Sequence, residues 1–192
     1  MIWFIKQILG IGMDLQVVPI HKHPQYKEQC CNLINDEWKR STTARMRSLD
    51  SSCDNLPTNL ILLKENKVIG HCKLSVIPSM RNACFVESVV IDKLLRGNGY
   101  GKYLMITAEE YCRNILKLEV IYLSTKGQEL FYSKLGYNVC PPVSIYGGSF
   151  SSESVLQCEK IENVTNPTFP CPPPLPKYSF TTNTKTYMKK VL

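Results

Sequence analysis

The stretch Val89-Val90-Ile91-Asp92-Lys93-Leu94-Leu95-Arg96-Gly97-Asn98-Gly99-Tyr100-Gly101-Lys102 constrains this chain more than any other. A β-branched apolar run enters a glycine-rich turn, and the turn opens the best-patterned helix in the sequence. Glycine lets the backbone turn tightly and present successive N–H groups. The helix N-terminus adds about half a positive charge. Together they predict an anion site fit for a pyrophosphate, reinforced by Arg96 and Lys102. The spacing Gly97-x-Gly99-x-Gly101 is neither G-x-G-x-x-G nor a loop ending Gly-Lys-Ser/Thr, so two common nucleotide folds are set aside. Cys84 to Thr125 reads as strand, turn, helix and strand, expected as a right-handed crossover with parallel strands.

Periodicity sets out the rest. Leu15 to Ile20 reads as a strand, and Gln25 to Trp38 as a helix with Cys30, Leu33, Ile34 and Trp38 on one face. Lys39 to Arg47 is cationic, and Ser41, Thr42 or Thr43 is placed to cap a second short helix. Asn59–Lys64 and Val68–Ile77 form a hairpin about Glu65-Asn66-Lys67. Tyr100 to Leu118 is helical, with Leu104, Met105, Ala108, Tyr111, Cys112 and Ile115 as its apolar stripe. Val120 to Thr125 is a strand, Gln128 to Leu135 a short helix closed by Gly136, and Tyr137 to Tyr146 a strand interrupted or displaced by Pro141-Pro142. Lys185 to Leu192 alternates as a final strand. The expected fold is α+β, one domain with a mixed twisted sheet of about seven strands flanked by about four helices.

Ser149 to Pro176 departs in composition, with four serines and then six prolines between Pro167 and Pro176. It cannot bury enough apolar surface to order itself, and its prolines favour an extended polyproline II form. The expected organisation is therefore an N-terminal extension over 1–13, a core over 14–148, a Ser/Pro-rich loop insert over 149–176, and a strand within 177–192 that completes the core.

Composition narrows the function. At 192 residues and 44% apolar, the chain is not a disordered one, and no run approaches the ~18 to 20 apolar residues of a membrane span. The charge of +7 favours an acidic partner. Nucleic acid is disfavoured, because the cations cluster in one short stretch with few interleaved aromatics. The nine cysteines are odd in number and scattered, with no Cys-x-x-Cys pair, so we expect reduced thiols, no metal and a cytoplasmic location. Met1 to Gly12 is apolar but has neither a basic leader nor a cleavage signal; Met13 is a candidate second start. The sequon at Asn163 is read as chance.

With these elements in order, the chain resembles the GNAT acetyltransferase superfamily. Arg96 to Gly101 is similar to the family's Q/R-x-x-G-x-G/A signature for the acetyl-CoA pyrophosphate. Phe131-Tyr132-Ser133-Lys134-Leu135-Gly136-Tyr137 is similar to its F-Y-x-x-x-G-F/Y motif. The family's frequent Asn seven residues before that tyrosine is Thr125 here, and its Ala four before is Gln128, which is expected to take over a contact to the CoA arm. Within the family, Asp36 to Leu49, Gly70 to Ser75, the Pro-rich insert and the terminal Tyr187-Met188-Lys189-Lys190 resemble the branch that acetylates the N-terminus of actin.

The resemblance implies acetyl transfer from acetyl-CoA to an amine, in a ternary complex without an acyl-enzyme. Val89, Val90, Ile91, Arg96, Gly97, Asn98, Gly99, Tyr100, Gly101, Lys102 and Gln128 would hold the cosubstrate. Trp38, Arg40, Ser41, Arg45 and Arg47 would line the peptide site. A chain-terminal amine has a pKa near 8 and is mostly ammonium at pH 7, and neighbouring carboxylates hold the proton more tightly. An arginine cluster relieves that effect by pairing with the carboxylates. Tyr132 is the expected acid for the departing thiolate, Glu87 the expected base with His71 as its rival, and Trp38 is counted with them as a catalytic residue as well as a peptide-site one. Amides near Val89 or Val90 are placed for an oxyanion. The implied partners are the acidic N-terminus of processed actin as substrate and profilin, docked on the polyproline segment Pro170–Pro176. The alternatives left open are another amine substrate, lysine or small molecule, or a non-catalytic adaptor.

Overall fold

The computed structural model describes residues 15–146 and 185–192; the expectations for 1–13 and for the insert 149–176, with its polyproline segment, lie outside them. Seven strands form one mixed sheet in the order β1-β2-β3-β4-β5-β7-β6. They are β1 (Leu15–Pro19), β2 (Thr58–Lys64), β3 (Lys67–Val76), β4 (Ala83–Ile91), β5 (Val120–Thr125), β6 (Asn138–Val139) and β7 (Thr186–Val191). Among the described residues four α-helices accompany them: α1 (Lys27–Glu37), α2 (Thr42–Asp50), α3 (Tyr100–Asn114) and α4 (Glu129–Lys134).

The hairpin β2–β3 turns through Glu65 and Asn66 in left-handed conformation, as the polar turn residues predict. β2 is a continuous apolar run because it is buried on both faces. Leu60 and Leu62 pack with Tyr103, Leu104, Met105 and Ala108 of α3, while Ile61 and Leu63 pack with Cys30, Cys31 and Ile34 of α1. β4 and β5 are parallel, as the crossover through α3 requires. The final strand does not extend the sheet edge. β7 inserts between β5 and the two-residue β6 and seals the fold with the buried Met188.

Three expectations are corrected. α3 stops at Asn114 rather than Leu118, because the chain turns left-handed at Lys117, which leaves Ile115 exposed instead of in the apolar stripe. Pro141-Pro142 ends β6 after two residues, since proline has no N–H for a ladder. Trp38 closes α1 in extended backbone and is 45% exposed, so it leaves the buried face shared by Cys30 and Ile34. The seven described cysteines are free thiols.

Candidate active site

β4 and β5 pair only from Ala83↔Val120 to Val86↔Leu123 and then part. The gap between Glu87–Ile91 and Ser124–Thr125 opens into a cleft of about 1260 Å³. It is floored by β4 and β5 and walled by the glycine turn, α4 and the residues around Trp38.

The glycine turn has the predicted form. Gly97 and Gly99 adopt φ of +84° and +79°, where a Cβ is strained, and nothing lies within 4 Å of where their Cβ atoms would be. Gly99 caps α3 without a side-chain bond, and the first turn of the helix holds no acid. The positive end of a 15-residue helix therefore opens onto space beside Lys102, as a diphosphate requires. Gly101 differs: it lies inside α3, and its bare Cα meets the Phe131 ring, 3.6 Å from an ideal Cβ.

Two predicted phosphate ligands serve the turn itself. Arg96 donates from Nε to the Ile91 carbonyl (3.1 Å) and from Nη2 to Glu37 (2.8 Å), tying the turn to α1. Asn98 donates to the Leu95 and Arg96 carbonyls and is not among the residues lining the cleft. Val89, Val90, Ile91, Tyr100 and Gln128 line the cleft.

The predicted chemical groups converge. Tyr132 on α4 is packed edge-on between Phe131 and Tyr137, with ring centroids 5.0 and 5.8 Å away. Burial pushes its phenol up to about 12, so it keeps its proton and is a donor. Glu87 faces the same cleft, accepts a hydrogen bond from the Ser75 hydroxyl and lies 3.9 Å from Lys73 Nζ. Trp38 lines the rim. His71 is not a base here: it is 1% exposed, both ring nitrogens are engaged, and burial pulls it down to about 4.

The arginine cluster does not enter the cleft as the sequence suggests. Arg45 is buried; its Nε donates to Asn35 Oδ1 (3.1 Å) and its Nη2 to the Trp38 carbonyl (2.9 Å). Burial, then the charge of Arg40, lowers its pKa. The Ser41 hydroxyl accepts the Ala44 N–H and caps α2. Arg40 and Arg47 are exposed and do not line the cleft. Its cations are instead Arg96, Lys102, Lys126, Lys134 and Lys185, against the carboxylates Glu37 and Glu87. Sequence reasoning missed Lys126, Lys134 and Lys185 because they stand on separate elements. The one available signal was that Lys134 sits inside the F-Y-x-x-x-G motif.

A splayed parallel pair with a bare helix N-terminus beside the gap defines an acyl-CoA-dependent transferase fold. The chain belongs to the acetyltransferase (GNAT) family, whose model matches residues 27–137. It is 34% identical over 158 residues to N-alpha-acetyltransferase 80 of Mus musculus, covering 79% of this chain and 48% of that protein. The chain thus spans about half the length of that curated relative. The fold is similar to an aminoglycoside 6'-N-acetyltransferase complexed with coenzyme A (TM-score 0.63, 12% identity, 92% of this chain and 96% of that one). It is also similar to a GNAT acetyltransferase of Staphylococcus aureus Mu50 (TM-score 0.59, 14% identity, 93% and 99%). Acetyl-CoA is the cosubstrate of this family, and the open, cationic turn fits it. Among the described residues, no group of three His, Cys, Asp or Glu could hold a metal, and no helix is long and apolar enough to cross a membrane.

Proposed function

We propose that this chain is a protein N-terminal acetyltransferase, acting in the cytoplasm on the acidic N-terminus of processed actin. The observation that carries the reading is one cleft in which the glycine turn, Tyr132, Glu87 and Trp38 meet, with five cations against two carboxylates. That balance suits two anions together, a diphosphate at α3 and an Asp/Glu-rich chain end. Bound acetyl-CoA supplies the thioester. Glu87, through water, takes the proton of the incoming ammonium, and the freed amine attacks directly within a ternary complex. Amides of the β4 segment that lines the cleft stabilise the oxyanion, Tyr132 gives its phenolic proton to the departing thiolate, and the second proton shed by the nitrogen as the amide forms restores the phenol. Trp38 shapes the entry, held there by Arg45. Arg40 and Arg47, with Lys134 and Lys185, attract the acidic segment from outside and within the rim. Profilin docked on Pro170–Pro176 would raise the local concentration of the substrate.

The test is acetyl-CoA turnover on an Asp/Glu-led peptide and a matched neutral peptide. We expect the acidic peptide to react with kcat/KM at least ~10-fold higher, the scale of one well-placed ionic contact. Equal rates would return the assignment to a broader amine acetyltransferase. Absence of turnover on any amine would leave a binding adaptor.

A further inference from the structure

His71 lies between β2 and β4, 1% exposed. Its Nδ1 is 3.1 Å from the Ser88 carbonyl oxygen. A carbonyl only accepts, so this contact is a hydrogen bond in the tautomer that carries its hydrogen on Nδ1. Nε2 lies 3.0 Å from Asn59 Oδ1, a second acceptor for the neutral ring's single hydrogen, and Asn59 Nδ2 donates to the Ser48 carbonyl of α2 at 3.1 Å. A buried polar chain therefore runs from α2 through β2 and β3 to β4.

Its far end is the one irregular point of β4. His71 pairs with Val90 and Lys73 with Glu87, so two steps along β3 face three along β4. The extra residue makes a bulge at Ser88–Val89. Ser88 there has φ +54°, a left-handed conformation that a serine leaves readily unless something holds it. In a trans peptide the N–H points opposite to the carbonyl. A Ser88 carbonyl turned to His71 therefore sends the Val89 N–H away from the imidazole. Ser88, Val89 and Val90 all line the cleft at the point where β5 has parted from β4.

We propose that His71 is a positioning residue for acetyl transfer: by holding the Ser88 carbonyl, it fixes the β4 bulge and aims the Val89 N–H at the acyl oxygen. This rests on the reading of the cleft as the acetyl-transfer site. His71 itself touches no substrate.

The experiment compares steady-state kinetics on an Asp/Glu-led peptide, with melting temperatures, for wild type, His71→Phe, His71→Gln and His71→Phe/Ser88→Gly. His71→Phe keeps the ring volume and loses the donor. It should lower kcat ~10- to 100-fold, the range for a misaligned oxyanion donor, with KM for acetyl-CoA within about threefold. His71→Gln supplies an amide N–H and should keep kcat well above that of His71→Phe. Glycine adopts the left-handed conformation without strain, so the double variant should exceed His71→Phe in kcat. Wild-type kcat in His71→Phe overturns the proposal. So does an equal loss in His71→Phe and His71→Gln that follows melting temperature alone. If His71→Phe does not fold, His71→Gln decides: kcat within about fivefold of wild type supports the pin, and a larger loss at unchanged melting temperature overturns it. A wild type that acetylates no amine would refute the functional reading instead, and binding of acetyl-CoA would still be measurable.

Discussion

Arg45→Ala separates two roles for one guanidinium. Arg45 donates to Asn35 Oδ1 and to the Trp38 carbonyl, the two groups that end α1 and set the course of the chain into α2. Hydrogen bonds from a charged donor contribute about 1.5–3 kcal/mol each. Two would give roughly 3–6 kcal/mol, but Trp38 is 45% exposed, so water can reach its carbonyl once the arginine is gone, and we discount the loss to about 2–4 kcal/mol. For a chain of this size each kcal/mol moves the melting temperature by roughly 2–4 °C, so we expect a fall of about 4–16 °C by calorimetry. Arg45→Lys keeps the charge but not the fork, reaches one acceptor, and should lose about half as much. KM for acidic and neutral peptides should rise together, since Trp38 loosens for both. An unchanged melting temperature with a rise in KM confined to Asp/Glu-led peptides would refute this reasoning and return Arg45 to direct recognition of substrate carboxylates.

Tyr132→Phe keeps the ring contacts and removes the proton donor, so kcat should fall ~10²-fold with the melting temperature nearly unchanged. Because the phenol is pushed up to about 12, the alkaline limb of the wild-type pH–rate profile should show no loss from Tyr132 below about pH 11. Gly99→Ala places a Cβ at φ +79° and should cost about 1–2 kcal/mol of turn geometry, read as a roughly tenfold higher KM for acetyl-CoA. Gly70→Ala would set a Cβ 2.7 Å from Ile91 Cδ1 and 3.3 Å from the Val90 carbonyl, and should destabilise by about 1–3 kcal/mol in denaturant titration. His71 predicts an acid-sensitive stability, since burial and the charges of Arg45 and Lys73 all favour its neutral form. The unfolded chain binds that proton from about pH 6.5 downward, whereas the folded chain waits until about 4, so stability falls as pH drops through this window by about 3 kcal/mol. His71→Phe should flatten that slope, and an equal slope in both proteins would contradict the burial argument.

Elements governed by local rules were legible in the residues. The hairpin, the crossover and the Gly136 cap, with φ +90°, each follow from turn chemistry or a single period. What failed depended on contacts from elsewhere in the chain. Ile115 fits the helical stripe, but the left-handed step at Lys117 takes the chain away from the core before that position can be used. The alternation of 185–192 predicts a strand but not its place between β5 and β6, which is decided by a register of six partners on β5.

The candidate site divides along the same line, and the division bears on mechanism. The phosphate turn and the tyrosine motif are short segments whose function is carried by backbone conformation and one side chain, so they could be read directly. The arginines were read from charge and spacing, which report that cations are close but not which acceptors they meet. Arg45 meets two acceptors of its own chain, and Arg96 meets Ile91 and Glu37. In the proposed reaction these guanidiniums would serve the substrate through the backbone they hold. Besides Arg96, the cations lining the cleft are four lysines, Lys102, Lys126, Lys134 and Lys185, from four separate parts of the chain. Specificity for an acidic chain end would then come from a diffuse field more than from a forked ion pair. Such a field is screened over about 8–10 Å at ordinary ionic strength. The preference for Asp/Glu-led peptides should accordingly shrink severalfold between 50 and 500 mM salt while kcat stays constant. A preference unmoved by salt would mean that a desolvated arginine–carboxylate pair forms after all.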